Sequence, residues 1–171
     1  LERKKRIKGL KLAYLGDGEN NVTHSLVLAS ALLGADFYCA SPKGYWMNKK
    51  ITTEAKKISQ KTKAKIIQTI NPKKAVENAD VVITDTWVSM GSEKEKSKRL
   101  KIFPHYQVNQ KIMKLAKKDA IFMHCLPAYR GKEVSAEVID GKQSVVFPEA
   151  ENRLHAQKGL IIYLFKKKEK M

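Results

Sequence analysis

Five short apolar stretches, each followed by residues with helical spacing, constrain this 171-residue chain more than any other feature. They are Lys11–Leu15, Asp36–Ala40, Lys65–Thr69, Val81–Thr84 and Ala120–His124. After the first, Val22, Leu26, Ala29 and Leu33 repeat at helical intervals, and Gly34 supplies the stop. Thr52–Lys61, Pro72–Asn78 with its early proline, Glu93–Ile102 and Asn109–Lys117 are predicted as further helices. Val145–Phe147 is expected to be extended, ahead of a closing helix over Glu149–Lys166. Strands this short and apolar, separated by helices, belong to parallel sheets covered on both faces. Right-handed crossovers then predict an α/β fold: a Rossmann-like, doubly wound parallel sheet of about five strands with helices on both faces. No repeat or low-complexity linker divides the chain. One domain is expected over 1–171, with a basic lead-in at 1–8, the closing helix at 149–166 and a basic tail at 167–171.

Composition bears on partners. The formal charge is +17, which by itself would suit nucleic acid or an anionic surface. The cations are nearly all lysine, however, spread over helices at Lys56, Lys57, Lys73, Lys74, Lys117 and Lys118 and gathered at both ends. No aromatic-basic interleaving accompanies them, so nucleic-acid binding is not the expected role. No run approaches the roughly 18–20 apolar residues of a membrane span. Leu1–Lys8 has no signal-peptide core, and a cytoplasmic protein with two reduced cysteines, Cys39 and Cys125, is expected.

In an open parallel sheet, ligands bind beyond the carboxyl ends of the strands. Four loops meet that condition. Gly16-Asp17-Gly18-Glu19-Asn20-Asn21 is a strand-to-helix turn. A dinucleotide fingerprint would place a third glycine at Asn21 and an acid near Ala40 or Ser41, so cofactor binding is not expected. Asn20 reads as a helix cap, and Asn21 offers a donor and an acceptor to a zwitterionic ligand. Asp85-Thr86-Trp87-Val88-Ser89-Met90-Gly91 follows the fourth strand. Asp85 could hold an ammonium or merely cap a turn, and Trp87 and Met90 are expected as exposed pocket walls. His124-Cys125-Leu126-Pro127 places a thiol at the mouth of the sheet, activated or simply a small polar wall. Neighbours on a strand face opposite ways, which argues against His124 as a base for Cys125. Cys39 is expected to be inert core, His24 a structural histidine, and no spacing among histidines and cysteines resembles a zinc site. Glu149-Ala150-Glu151-Asn152-Arg153 opens the last helix. Arg153 gains nothing from a helix start and could serve a carboxylate, carbonyl or phosphate, or pair with Glu149 or Glu151.

Taken in order, Gly16-Asp17-Gly18 with Asn20-Asn21, Asp85 through Gly91, His124-Cys125-Leu126-Pro127 and Glu151-Asn152-Arg153 resemble the ornithine carbamoyltransferases, essentially throughout after Lys8. Ser89-Met90-Gly91 is the most specific part of the likeness. The resemblance implies transfer of the carbamoyl group of carbamoyl phosphate to the side-chain amine of L-ornithine, giving L-citrulline and phosphate, with neither metal nor organic cofactor. By matching position it implies that Asn21, Asp85, Ser89 and Met90 hold ornithine. Cys125, Leu126 and Arg153 would meet the carbamoyl group, supported by His124 and Pro127, with Asp85, Cys125 and Arg153 catalytic. Family members are homotrimers with a preceding domain that carries a Ser-x-Arg-Thr-type phosphate loop. No such segment occurs here, so an ornithine-binding half, monomeric and inactive by itself, is expected. A carbamoyltransferase for another amine such as putrescine, or an NAD(P)-dependent oxidoreductase, is the alternative.

Overall fold

A computed structural model describes residues 2–89, 91 and 93–168. Five parallel strands form one sheet: β1 (Lys11–Leu15), β2 (Asp36–Ala40), β3 (Ile66–Thr69), β4 (Val81–Thr84) and β5 (Ile121–Met123). Their spatial order is β3-β2-β1-β4-β5. Helices α1 (Asn21–Leu33), α2 (Lys49–Thr62), α3 (Pro72–Val76), α4 (Lys96–Ile102), α5 (Gln110–Met113), α6 (Ala136–Ile139) and α7 (Val146–Lys168) connect or follow them.

Alternation along the strands divides the core into two layers. Ala13, Leu15, Ala40, Val82 and Phe122 pack with Ala75 and Val76 of α3, Ile112 and Met113 of α5, and Val138 and Ile139 of α6. Tyr14, Phe37, Cys39, Val81 and Ile83 pack on the opposite face with Val27 and Ala31 of α1 and Ala55 of α2. The doubly wound architecture is therefore present, with helices on both faces. Among the described residues no helix is long and apolar enough to cross a membrane.

Several boundaries differ from expectation for local reasons. Helix α2 begins at Lys49 because the Asn48 side chain accepts a hydrogen bond from Lys50 N (2.9 Å). Helix α5 opens at its expected cap, Asn109, but ends at Met113. The chain there turns to bond the end of α3: Asn78 N donates to Leu115 O and Lys117 N to Ala79 O. Glu93–Glu95 is 3₁₀ and only Lys96–Ile102 is α-helical. Val145–Phe147 is not extended. Val145 N donates to Phe122 O beside β5, and α7 starts at the next residue. Pro148 fits its first turn, where no backbone donor is required. Helix α6 was not anticipated, being too short to show a period.

Helix α7 touches the sheet at β5 and then runs into solvent. Leu160, Ile161, Ile162, Tyr163, Leu164 and Phe165 are each more than half exposed. These residues lack a packing partner among the described residues, as expected for Leu160–Phe165.

Candidate active site

Register places the candidate loops at one height. Leu15 pairs with Ala40 on one side and Thr84 on the other, while Ile83 pairs with Met123. The residues that follow, Gly16, Asp85 and the His124-Cys125 pair, thus leave the sheet at a common rim. That rim is also where the connections from β1 and β4 depart to opposite faces, the usual ligand position in this architecture. Gly16 has φ +132°, a backbone conformation suited to glycine, and Gly18 has no room for a side chain, since a Cβ there would lie 2.7 Å from Tyr45 O.

Asp85 is buried and held at both oxygens. Its Oδ1 accepts from its neighbour Thr86 N (2.7 Å) and from the Cys125 thiol (3.4 Å). Its Oδ2 accepts from Asn20 Nδ2 (3.1 Å), which also donates to Tyr14 Oη (3.0 Å). Cys125 is exposed to solvent on one side. Partial burial, reinforced by the Asp85 carboxylate, pushes its thiol up to about 12. It is therefore a thiol at neutral pH. Of the two readings left open for Cys125, activated thiolate or small polar wall, a thiol raised by burial and by the Asp85 carboxylate fits the second. Cys39 is fully buried in β2, as expected, and burial lifts it also to about 12.

His124 turns into the protein. Its backbone N–H donates to Glu149 Oε2 in the first turns of α7 (3.0 Å), and its Nδ1 accepts from Leu126 N (3.0 Å). Its Nε2 lies 3.3 Å from Glu133 Oε1, both side chains being fully buried. Glu133 Oε1 also accepts from Tyr129 N (2.6 Å). Leu126 is half-buried with φ +55°, and Pro127, joined to it by a cis peptide, is exposed. Burial raises the Glu149 carboxyl above its ordinary range.

Asp85, His124 and Cys125 each bring one ligand atom within 4.8 Å of the others. Sequence spacing among histidines and cysteines could not reveal this grouping, because Asp85 arrives from another strand. Among the described residues it is the one group of three such side chains close enough together to share a metal ion. Asp85 Oδ1 and His124 Nδ1 are, however, already occupied by backbone N–H groups.

Trp87 is not an exposed wall. It is 3% exposed and packs on Phe103, at 6.1 Å between ring centroids, with Tyr45 edge-on to the same Phe103 ring. What fixes it is Arg99, whose Nη1 donates to Trp87 O (3.1 Å) and to Asp17 Oδ2 (2.5 Å), with Nε on Glu95 Oε2 (3.0 Å). This buried cation fastens the Gly16–Asn20 turn to the start of the 85–91 loop. Ser89 is half-buried in that loop, and Met90 lies outside the described residues.

Asn21 is exposed at the first residue of α1, with no contact to Asp85. Arg153 is exposed on α7, one turn beyond Glu149, and makes no ion pair among the described residues. The structure therefore gathers Asp85, His124 and Cys125 and leaves Asn21 and Arg153 at the margin. Asn20, Tyr14, Glu133 and Arg99 were missed as site residues. Only the asparagine-rich turn hinted at the first. His24 is structural: its Nε2 accepts from Asn48 N (3.0 Å) at the start of α2.

Residues 8–164 match the family model described as aspartate/ornithine carbamoyltransferase, Asp/Orn binding domain. Among curated proteins, the chain is 57% identical to an ornithine carbamoyltransferase from Caldicellulosiruptor saccharolyticus over 95% of this chain and 53% of that protein. It is 52% identical to one from Methanocaldococcus jannaschii over 98% of this chain and 55% of that protein. Among solved structures, that of Pyrococcus furiosus ornithine carbamoyltransferase superposes with a TM-score of 0.89 at 49% identity, covering 94% of this chain and 51% of that one. The chain spans about half the length of the curated relatives it matches.

Proposed function

We propose, for a chain that belongs to the aspartate/ornithine carbamoyltransferase family through its Asp/Orn-binding domain, that the rim around Asp85 holds L-ornithine during carbamoyl transfer. The amine nitrogen attacks the carbonyl carbon of carbamoyl phosphate, the bond to the phosphate oxygen breaks, and citrulline and phosphate result. One observation carries this reading: a buried, oriented carboxylate in contact with a thiol at the switch point of the sheet. A cationic amine is drawn to Asp85. The second carboxylate at the rim, Glu149, adds to a field that disfavours an acidic substrate such as aspartate.

The amine must be neutral to attack, and Asp85 is the group placed to take its proton. Cys125, as a thiol, donates to Asp85 and orients it; it does not act as a base. Asn21, Ser89 and Met90 hold the α-amino-acid end. Cys125 and Leu126 border the carbamoyl group, flanked by His124 and Pro127, and Arg153 approaches the carbamoyl oxygen from α7. Most of the acceleration comes from holding two substrates in line, with developing charge on oxygen met by fixed cations. Carbamoyl phosphate binding and a cytoplasmic location accompany the same reading. Relatives named as ornithine carbamoyltransferases favour ornithine over putrescine, and Asn21 in place of a third glycine disfavours a dinucleotide.

Calorimetric titration with L-ornithine tests the proposal. The wild-type chain is expected to bind, and Asp85→Ala to lose at least about tenfold in affinity, the worth of a hydrogen bond to a charged group. Equal binding by both proteins would sink the assignment of Asp85.

A further inference from the structure

We propose that Asn20 is a positioning residue of this site: its side-chain amide, sharing its second hydrogen with the Tyr14 hydroxyl, grips Oδ2 of Asp85 and thereby sets Oδ1 against the Cys125 thiol.

The hydrogen bonds leave one orientation for this amide. Asn20 Oδ1 accepts from Thr23 N (2.8 Å) and lies 2.8 Å from Thr23 Oγ1, where it caps α1. With the oxygen committed to the helix, Nδ2 must face the other way, and its two hydrogens meet two acceptors, Tyr14 Oη and Asp85 Oδ2. Asn20, Tyr14 and Asp85 are all buried, which strengthens these bonds relative to the same bonds in water. Capping alone does not explain an asparagine here. Serine, threonine or aspartate would supply the same oxygen to the helix start. Only asparagine provides that acceptor and, 65 residues along the chain, a donor to a carboxylate.

The grip matters because Asp85 stands among groups that would otherwise turn it. Cys125 and His124 lie on its β5 side, Tyr14 and Asn20 on its β1 side, and the Glu149 carboxylate repels it from α7. A carboxylate held at Oδ2 and by Thr86 N at Oδ1 cannot rotate, so the thiol always finds the same acceptor. The consequence for ornithine rests on the assignment of Asp85 made above; the coupling to Cys125 does not.

The test uses Asn20→Ser, which keeps a capping oxygen and lacks the amide donor. The readout is the alkylation rate of Cys125 by iodoacetamide at mildly alkaline pH; Cys39, fully buried, stays silent. Releasing Asp85 weakens the thiol–carboxylate bond, so the rate is expected to rise several-fold. In an Asp85→Asn background the same serine is expected to change nothing, the signature of coupling between the two sites. A rate unchanged in the wild-type background, or raised equally in both, overturns the proposal. Should Asn20→Ser melt poorly, Tyr14→Phe, which leaves the cap untouched, is expected to shift the rate in the same direction and by less; no shift overturns it equally. Ornithine affinity is read on the same proteins and is expected to fall about tenfold in Asn20→Ser. Thiol coupling without ornithine binding by any of them would retire the substrate assignment and keep this inference. Ornithine binding with no thiol coupling would do the reverse.

Discussion

The rim of the sheet and the outer half of α7 meet solvent in opposite ways. At the rim, buried polar groups are paired into a network: Asp85 at both oxygens, His124 at its backbone N–H and Nδ1, Asp17 through Arg99. Along α7, Leu160 through Phe165 meet solvent on all sides, and no period of 3.6 separates an apolar face from a polar one. Rigidity at the rim thus comes from long-range hydrogen bonds between loops, whereas α7 beyond its first turns depends on its own backbone alone. The proposed ornithine site stands on the first kind of support.

The largest test of this contrast is to cut the rim's deepest tie. Arg99→Met removes the guanidinium that lies over the Tyr45 and Phe103 rings and strands the Asp17 carboxylate and the Trp87 carbonyl. Removing one member of a buried pair costs about 3–5 kcal/mol, read as a lowered denaturant midpoint. A loss below about 0.5 kcal/mol would show that the network does not hold the loops.

A smaller effect is expected at the seam between the two regions. The Glu149 carboxyl is raised by burial above its ordinary value of 4.5. Between that value and the raised one, the folded chain holds a proton that the unfolded chain has released, so stability falls as pH rises through the window. Glu149→Gln still accepts from His124 N and is expected to flatten that slope. An unchanged slope in melts across this range would place the titration elsewhere. The smallest effect belongs to α7: Leu160→Lys with Ile161→Lys is expected to move stability within about 0.5 kcal/mol. A larger loss would mean that these side chains are packed after all.

Much of the rim could be read along the chain because it is written at strand ends. Asp85, His124 and Cys125 each sit directly after a short apolar run, and the topology rule alone brings such positions together. Contacts across the fold were hidden. Arg99 reaches Asp17 over 82 positions, and nothing in the lysine-rich stretch around it distinguishes this one cation as buried. The same contact explains why Trp87, next to an acidic strand end, turned inward rather than toward a ligand. Glu133 was equally invisible, since a fully buried acid between Lys132 and Val134 looks in sequence like any surface acid. Cys125 could be placed from sequence, but its protonation state could not. Its thiol is raised first by burial and then by Asp85 alongside, a neighbour set by β-strand order and not by local pattern.

Glu149 has one further mechanical meaning. It is the fourth of the 23 residues of α7, and its carboxylate bonds the backbone that carries Cys125. At 1.5 Å per residue the helix reaches roughly 28 Å beyond it. The element is thus moored to the rim within its first turn, and the long remainder projects from that mooring into solvent.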